Sequence, residues 1–398
     1  MATIIVSSGV PSSGVVLNNG DVMEIRGGTA INTIANSGGH DNVSSGGLAV
    51  STTVNAVGGE VVFNGGIASS TLISNGGNQH VSSGGSAVSA AVLVGGTQTV
   101  FTGGAASGTT IAATGQQIVS SGGKSLATQV GDGAEVVLAG GQAIATVVVG
   151  NGTLTVSAGA TAINTVLNKG QQIAVGGTVV NTVVNSSAVD NLSAGATAVN
   201  TVINANGVEI VAAGANTFNT TVNTNGSQVL SSGGTASSTF LGRVASQTVS
   251  AGGLANGTIV SGGIENVFGG TATGGSVAGS GGQGGFEIVS GNGVAITPTI
   301  NSGGTLLLNN TGSASGVTLN GGGIVSVTSG GGLNGLAAAS GGTLVVASGG
   351  TATGAMLAGG STETVFSGGL TLSTTVSSGA ALSVASGALA SATTLSSG

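Results

Sequence analysis

Short apolar stretches recur along this chain at a fixed interval, and none of them has a helical period. The unit reads roughly G-G-x-A-x-x-T-x-V-x-x-G-G-x-x-x-V-S-S and repeats from end to end. No i, i+3, i+4, i+7 spacing of apolar residues competes with it. The glycine after the short V-S-S or V-x-x segment falls at Gly27, Gly46, Gly65, Gly84, Gly103 and Gly122, in steps of 19. It continues through Gly140, Gly159, Gly176, Gly195, Gly214, Gly233 and Gly252, then less regularly through Gly269, Gly291 and Gly312. Order returns at Gly330, Gly349, Gly368 and Gly387. With Gly9 there are 21 units. Each holds two β-like segments separated by glycine turns, because glycine reaches the positive φ of a tight corner at little steric penalty.

A segment of four to seven residues cannot fold alone. It can fold against copies of itself, pairing strands coil to coil over a shared core. The pattern therefore predicts an all-β, parallel β-helix (β-solenoid) of about 21 coils, with a repeat of about 19 residues. A single solenoid domain is expected over residues 1–398, regular over 9–269, irregular over 270–310 and regular again over 311–398.

Stacking turns repeat positions into columns. Counted from the second turn residue, position +2 is mostly alanine (Ala30, Ala49, Ala68, Ala87, Ala106), as a narrow interior bend requires. Position +7 is apolar (Val54, Ile73, Val148, Leu167, Ile203) and is expected in the core. Position +5 is a threonine column, with Thr33, Thr52, Thr71, Thr109, Thr128, Thr146 and their successors. Stacked β-branched hydroxyls suit a strand ladder. The alternative is an ice-facing or glycosylated face. A further polar column lies two residues before the valine: Asp41, Glu60, Gln79, Gln98, Gln117, Glu135, Gln172, Asp190, Glu209, Gln228, Gln247, Glu265, Glu287 and Glu363, interrupted by Leu154 and Leu344. It is expected to be a solvated outer face. The functional alternative is a cation-binding stripe with Asp41–Glu60, Asp190–Glu209 and Glu265–Glu287 as its best pairs.

Composition narrows the function classes. Glycine supplies 81 of 398 residues and proline two, without the every-third-residue glycine of collagen. Charged residues are 4% and hydrophobic residues 40%, which is the opposite of a disordered chain. The only cations are Arg26, Lys124, Lys169 and Arg243, too few and too scattered to neutralise phosphates, so nucleic acid is excluded as a partner. Cysteine, tryptophan and tyrosine are absent, which removes thiolate chemistry and most sugar stacking. No run approaches 18 apolar residues, so no transmembrane helix is expected. The start, MATIIVSSGV, lacks a basic and then apolar leader, so no signal peptide is expected, and the chain stops at Gly398 inside a repeat without a polar cap.

Motifs with chemistry do not survive scrutiny. Gly279–Gly284 matches GxGxxG, but that pattern arises by chance at this glycine content and no βαβ context follows. Gly123-Lys124-Ser125 lacks the upstream glycine of a phosphate loop, where Ile118 stands. The run GGQGGFEIV (281–289) has Phe286 where a calcium-binding nonapeptide needs aspartate. His40 and His80 read as surface substitutions two coils apart, and Phe63, Phe101, Phe268 and Phe366 as corner packing. No catalytic, cofactor-binding or metal-binding residue is expected.

Segments such as SSGGLAVSTTVNAVGGEVVFNGG (44–66) and AVGGTVVNTVVN (174–185) resemble the strand-loop-strand passenger repeats of AIDA-type autotransporter adhesins, a family that includes self-associating antigens. The resemblance covers nearly the whole chain. It implies a right-handed β-helix passenger at the bacterial cell surface or outer membrane, or released outside the cell. Its roles would be adhesion to host or abiotic surfaces, autoaggregation by self-association, and biofilm formation. It also implies a dedicated autotransporter heptosyltransferase as partner, acting on Ser and Thr. Export signal and translocator barrel, both part of the family pattern, are not seen in this sequence. Two other readings stay open: an ice-binding solenoid using the threonine column, and a polysaccharide-acting β-helix enzyme.

Overall fold

The computed structural model describes residues 2–212 and 214–396, so the chain's last residue, Gly398, lies outside the described residues. The chain is an all-β parallel solenoid of about 21 turns, with no helix among the described residues, and equivalent residues lie about 19 positions apart. Its Cα positions divide into two units, 1–198 and 199–398.

In the first unit each turn contributes one strand to a flat sheet and two short strands to a bent one. One turn shows the plan: Gly59–Val62 in the flat sheet, then Ile67–Ser69 and Leu72–Ile73 in the bent sheet. All three pair in parallel with the next turn, Glu60 against Gln79, Ala68 against Ala87 and Ile73 against Val92. Side chains alternate sides along a strand. Gly59–Val62 therefore turns Glu60 and Val62 inward and Val61 outward, which the burial of each confirms. The second unit repeats the plan, for instance in Ser227–Leu230, Thr235–Ser237 and Phe240–Leu241. There, three later turns fuse the two short strands into Ser313–Leu319, Gly332–Ala338 and Thr351–Leu357.

The register read from glycine holds. Every turn glycine named above has positive φ except Gly312, whose role passes to Asn310 (φ 41°) and Thr311 (φ 66°). The pairing of two glycines has two causes. Gly65 sits at φ 73°, whereas a Cβ on Gly66 would come within 2.3 Å of the Val43 carbonyl oxygen one turn below. The alanine and +7 columns are buried in both units, as expected for a core.

The bent sheet owes its bend to a feature the repeat unit did not reveal. Between its two strands one residue per turn takes the left-handed conformation, and it is usually not glycine: Asn32, Ser51, Ser70, Ser89, Ala127, Ala145 and Asn164 all have φ between 51° and 59°. Asparagine and serine bear this conformation better than bulky residues because their short polar side chains bond locally. Across 270–310 the ladder continues, and the surplus residues form a hairpin in which Ser280 and Gln283 exchange backbone hydrogen bonds around Gly281 and Gly282.

Candidate functional site

The polar column is not on the surface. Asp41, Glu60, Gln79, Gln98, Gln117, Glu135, Gln172, Asp190, Glu209, Gln228, Gln247, Glu265, Glu287 and Glu363 are all at most 1% exposed. The expectation of a solvated outer face, and with it the cation-binding stripe, is overturned. The cause is strand parity: each of these residues stands two before the buried valine, and residues two apart share a face. That signal was present in the sequence.

The threonine column is corrected in the same way. Thr33, Thr52, Thr71, Thr109, Thr128 and Thr146 are 1% exposed, so they present no ice-facing or glycosylated face. They lie between the left-handed residue and the next strand, not inside a strand ladder. The Thr33 hydroxyl faces Met23 Sδ (3.7 Å), and the other five donate across the core to the acid and amide column. Thr71 donates to Glu60 Oε2 (2.8 Å), Thr109 to Gln98 Oε1 (3.0 Å), Thr128 to Gln117 Oε1 (3.0 Å) and Thr146 to Glu135 Oε2 (2.7 Å).

Glutamines join the column lengthwise. Gln79 Nε2 donates to Glu60 Oε2, Gln98 Nε2 to Gln79 Oε1, and Gln117 Nε2 to Gln98 Oε1, each at 2.6 Å. In the second unit Gln228 donates to Glu209 and Gln247 to Gln228, again at 2.6 Å. A buried amide or carboxylate without a partner costs several kcal/mol, roughly 1–3 for an ordinary group and more for a charge. The ladder answers that demand internally. At three turns the two columns change together, whereas Thr165 persists 11 residues after Leu154 with its buried hydroxyl unpartnered. Where Leu306, Val325 and Leu344 replace the polar residue, the residues 11 further on are Val317, Leu336 and Ala355 instead of threonine, all buried.

The matching is incomplete at several places, among them two pairs of neighbouring acids. Glu265 pairs in register with Glu287, and Asp41 with Glu60. In register with Thr258, the next two turns place Gly275 and Pro298 where the threonine would stand, and neither has a hydroxyl to donate. Glu265 Oε1 and Glu287 Oε2 are buried without a hydrogen-bond partner, as are Asp41 Oδ1 and Glu60 Oε1. Burial raises the Glu265 carboxyl to about 7, with Thr258 opposing the shift. Burial and then the neighbouring Glu265 push Glu287 well above the ordinary range. Asp41, Glu60, Glu135, Glu209 and Glu363 are also raised, each chiefly by burial. These carboxyls lie inside the core, where burial favours their neutral form over the ionised one.

The outside carries little ionic chemistry. Asp21, Glu24 and Asp132 are the acids outside the column, and Arg26 pairs with Glu24 at 3.2 Å. Among the described residues no group of three or more His, Asp or Glu is placed to hold a metal ion. His40 is exposed; His80 is half-buried and meets the Phe101 ring edge-on at 5.4 Å. The phenylalanines are not packed into corners. Phe63, Phe101, Phe268 and Phe366 stand just past the flat-sheet strands and are 39–58% exposed. What the exterior offers in number is hydroxyl and amide. Ser45, Ser83, Ser121, Ser232, Ser329, Ser348 and Ser367 stand exposed just before a turn glycine. Asparagine ladders run along other turns, as from Asn55 to Asn36 (2.9 Å) and from Asn36 to Asn18 (3.1 Å).

No family model and no curated protein matches the chain. Among solved structures it is similar to the crystal structure of a TibA fragment hyper-glycosylated by TibC, at 30% identity over 98% of this chain and 97% of that one, with a TM-score of 0.26. It also matches a PL6 family alginate lyase (9% identity, 99% and 97% covered, TM-score 0.22) and an endo-xylogalacturonan hydrolase from Aspergillus tubingensis (11%, 91% and 86%, TM-score 0.12). Those two likenesses carry no argument at such values. The first has weight through sequence identity across nearly all of both chains, not through superposition. Taken with the repeat and its glycine, alanine and threonine columns, it means that this chain belongs to the AIDA-type autotransporter adhesin passengers.

Proposed function

We propose that the chain is a non-enzymatic passenger displayed at, or released from, a bacterial surface, where it mediates adhesion, autoaggregation or biofilm formation and is O-glycosylated on exposed Ser and Thr. The observation that carries this reading is the 30% identity to a passenger fragment hyper-glycosylated by its own transferase. The distribution of side chains agrees with it. Eight of the eleven acids are locked in the core as a structural column, leaving no outer carboxylate constellation for glycoside cleavage. The acceptors a heptosyltransferase could reach are the exposed turn serines, not the threonine column.

Co-expression with an autotransporter heptosyltransferase, followed by intact-mass and site-resolved mass spectrometry, tests the glycosylation. Adducts are expected on exposed residues such as Ser83, Ser121 and Ser348, and none on Thr71, Thr109 or Thr146. Sedimentation of cells displaying the chain tests adhesion: faster settling than undecorated cells is expected, and unchanged settling together with no surface attachment would remove the adhesive role.

A further inference from the structure

We infer that a polar groove on the first unit binds an extended, carboxylate-bearing oligosaccharide through Lys169; this deepens the adhesive reading by naming a ligand class. The groove runs along the turns that lead into the flat sheet. One part, of about 410 Å³, lies between Gly95 and Thr153, and a second, of about 190 Å³, continues from Asn151 to Val189. Asn151 belongs to both, so the two parts are contiguous.

Its origin lies in the chain. Ile111 and Gln117 are separated by one more residue than Val130 and Glu135, or Leu167 and Gln172, the equivalent core positions one and three turns later. At 131–133 and 168–170 the turn has therefore lost a residue, and the surface there is indented. Each shortened turn carries a charge, Asp132 in one and Lys169 in the other, on an exterior otherwise almost without them. Lys169 is held in the left-handed conformation (φ 69°), bridged to Val149, and is exposed. Among the described residues nothing pairs with its ammonium. Asp132 is already engaged: its Oδ1 accepts from the Asn151 backbone N–H (2.8 Å) and Nδ2 (3.3 Å).

The chemistry selects the ligand. Gln116, Gln171 and Asn151 present amides along the groove, Thr114 presents a hydroxyl, and Lys169 adds an uncommitted positive charge. Turns rise by about 4.8 Å, so the six turns involved span roughly 24 Å. That suits an extended chain of hydroxylated rings, each meeting the same kind of wall one turn further on. No aromatic side chain lines the groove, so stacking is not offered. A single site is therefore weak, and affinity at a surface comes from many copies. A carboxylate on the ligand supplies the partner Lys169 lacks.

The test uses the purified full chain, independent of display or aggregation, titrated calorimetrically with hexagalacturonate and with neutral cellohexaose. Variants are Lys169→Gln, in the groove, and Lys124→Gln, an exposed lysine on the bent sheet outside it. Circular dichroism establishes that each is folded. Hexagalacturonate is expected to bind more tightly than cellohexaose, with dissociation constants near about 1 mM or below. K169Q should weaken it at least about fivefold while K124Q leaves it unchanged. No binding at about 10 mM, equal binding of both sugars, or equal losses in both variants would overturn the inference. Cell settling can fail while this binding stands, and the reverse, so the two proposals fall separately.

Discussion

At the scale of the residue, the core works as a set of matched donors and acceptors, and its weakest places are where a match is missing. Thr71→Val keeps shape but removes the hydroxyl that Glu60 accepts. It should destabilise the protein by about 1–2 kcal/mol, read from urea melts. Glu265 and Glu287 give the sharper case. Their folded-state carboxyls lie above the ordinary value of 4.5, Glu265 at about 7. Between those values the folded protein holds more protons than the unfolded chain, so stability falls as pH rises. Stability is full below about pH 4.5, declines as pH rises through the folded value near 7, and Glu287 extends the decline upward. The melting temperature should therefore be several degrees higher at pH 4.5 than at pH 8, the reverse of a protein stabilised by ionised carboxylates. Glu287→Gln should shrink this difference and raise the melting temperature at pH 8. The introduced amide can donate to Glu265 as Gln79 does to Glu60. A melting temperature that rises with pH in the native protein would contradict the argument.

At the scale of the element, each turn is shaped by three tight places: the glycine turn after the flat-sheet strand, the left-handed corner of the bent sheet, and a turn back into the flat sheet that glycine shares with residues such as Val57, Thr114 and Asn206. Ser70 occupies that corner at φ 58°. A β-branched residue there is disfavoured by roughly 1–2 kcal/mol, so Ser70→Val should lower stability by about that amount while Ser70→Gly stays near neutral. Equal effects would mean that the corner tolerates any side chain. The glycine turns were legible because only one residue type fills them repeatedly, as the steps from Gly27 to Gly122 show. The corner was not, because asparagine, serine, alanine, glycine and, at Thr297, threonine all serve and no one residue type dominates. The alanine and valine columns were legible from hydrophobicity. The acid column was misplaced because Asp and Glu are read as surface residues. Its parity with Val62 and Val81 placed it inside, and compensation by threonine 11 residues later made that placement affordable. The Asp132 and Lys169 groove was hidden for another reason: it arises from two single-residue deletions that merely looked like noise in the period.

At the scale of the whole molecule, the buried column changes what charge means for this protein. The sequence gives a formal charge of −7 and an isoelectric point near 4.4. Seven of the eleven acids have carboxyls raised by burial. Each of these that is neutral in the folded chain makes its charge less negative than the formal value, and unfolding frees it to ionise. The exterior carries few charges: hydroxyls and amides alternate with exposed apolar side chains such as Ile259, Phe268 and Met356, and few ions are there to organise salt-sensitive attraction. Contacts made by such a surface depend little on ionic strength. Capillary electrophoresis near pH 6, in buffer and then in urea, measures the difference directly. The unfolded chain should move as an anion carrying more negative charge than the native chain. The same proton difference should appear as uptake from a weakly buffered solution on refolding. Equal mobilities, corrected for size, would mean that the column holds its acids ionised, and the internal ladder of shared protons and amides would have to be abandoned.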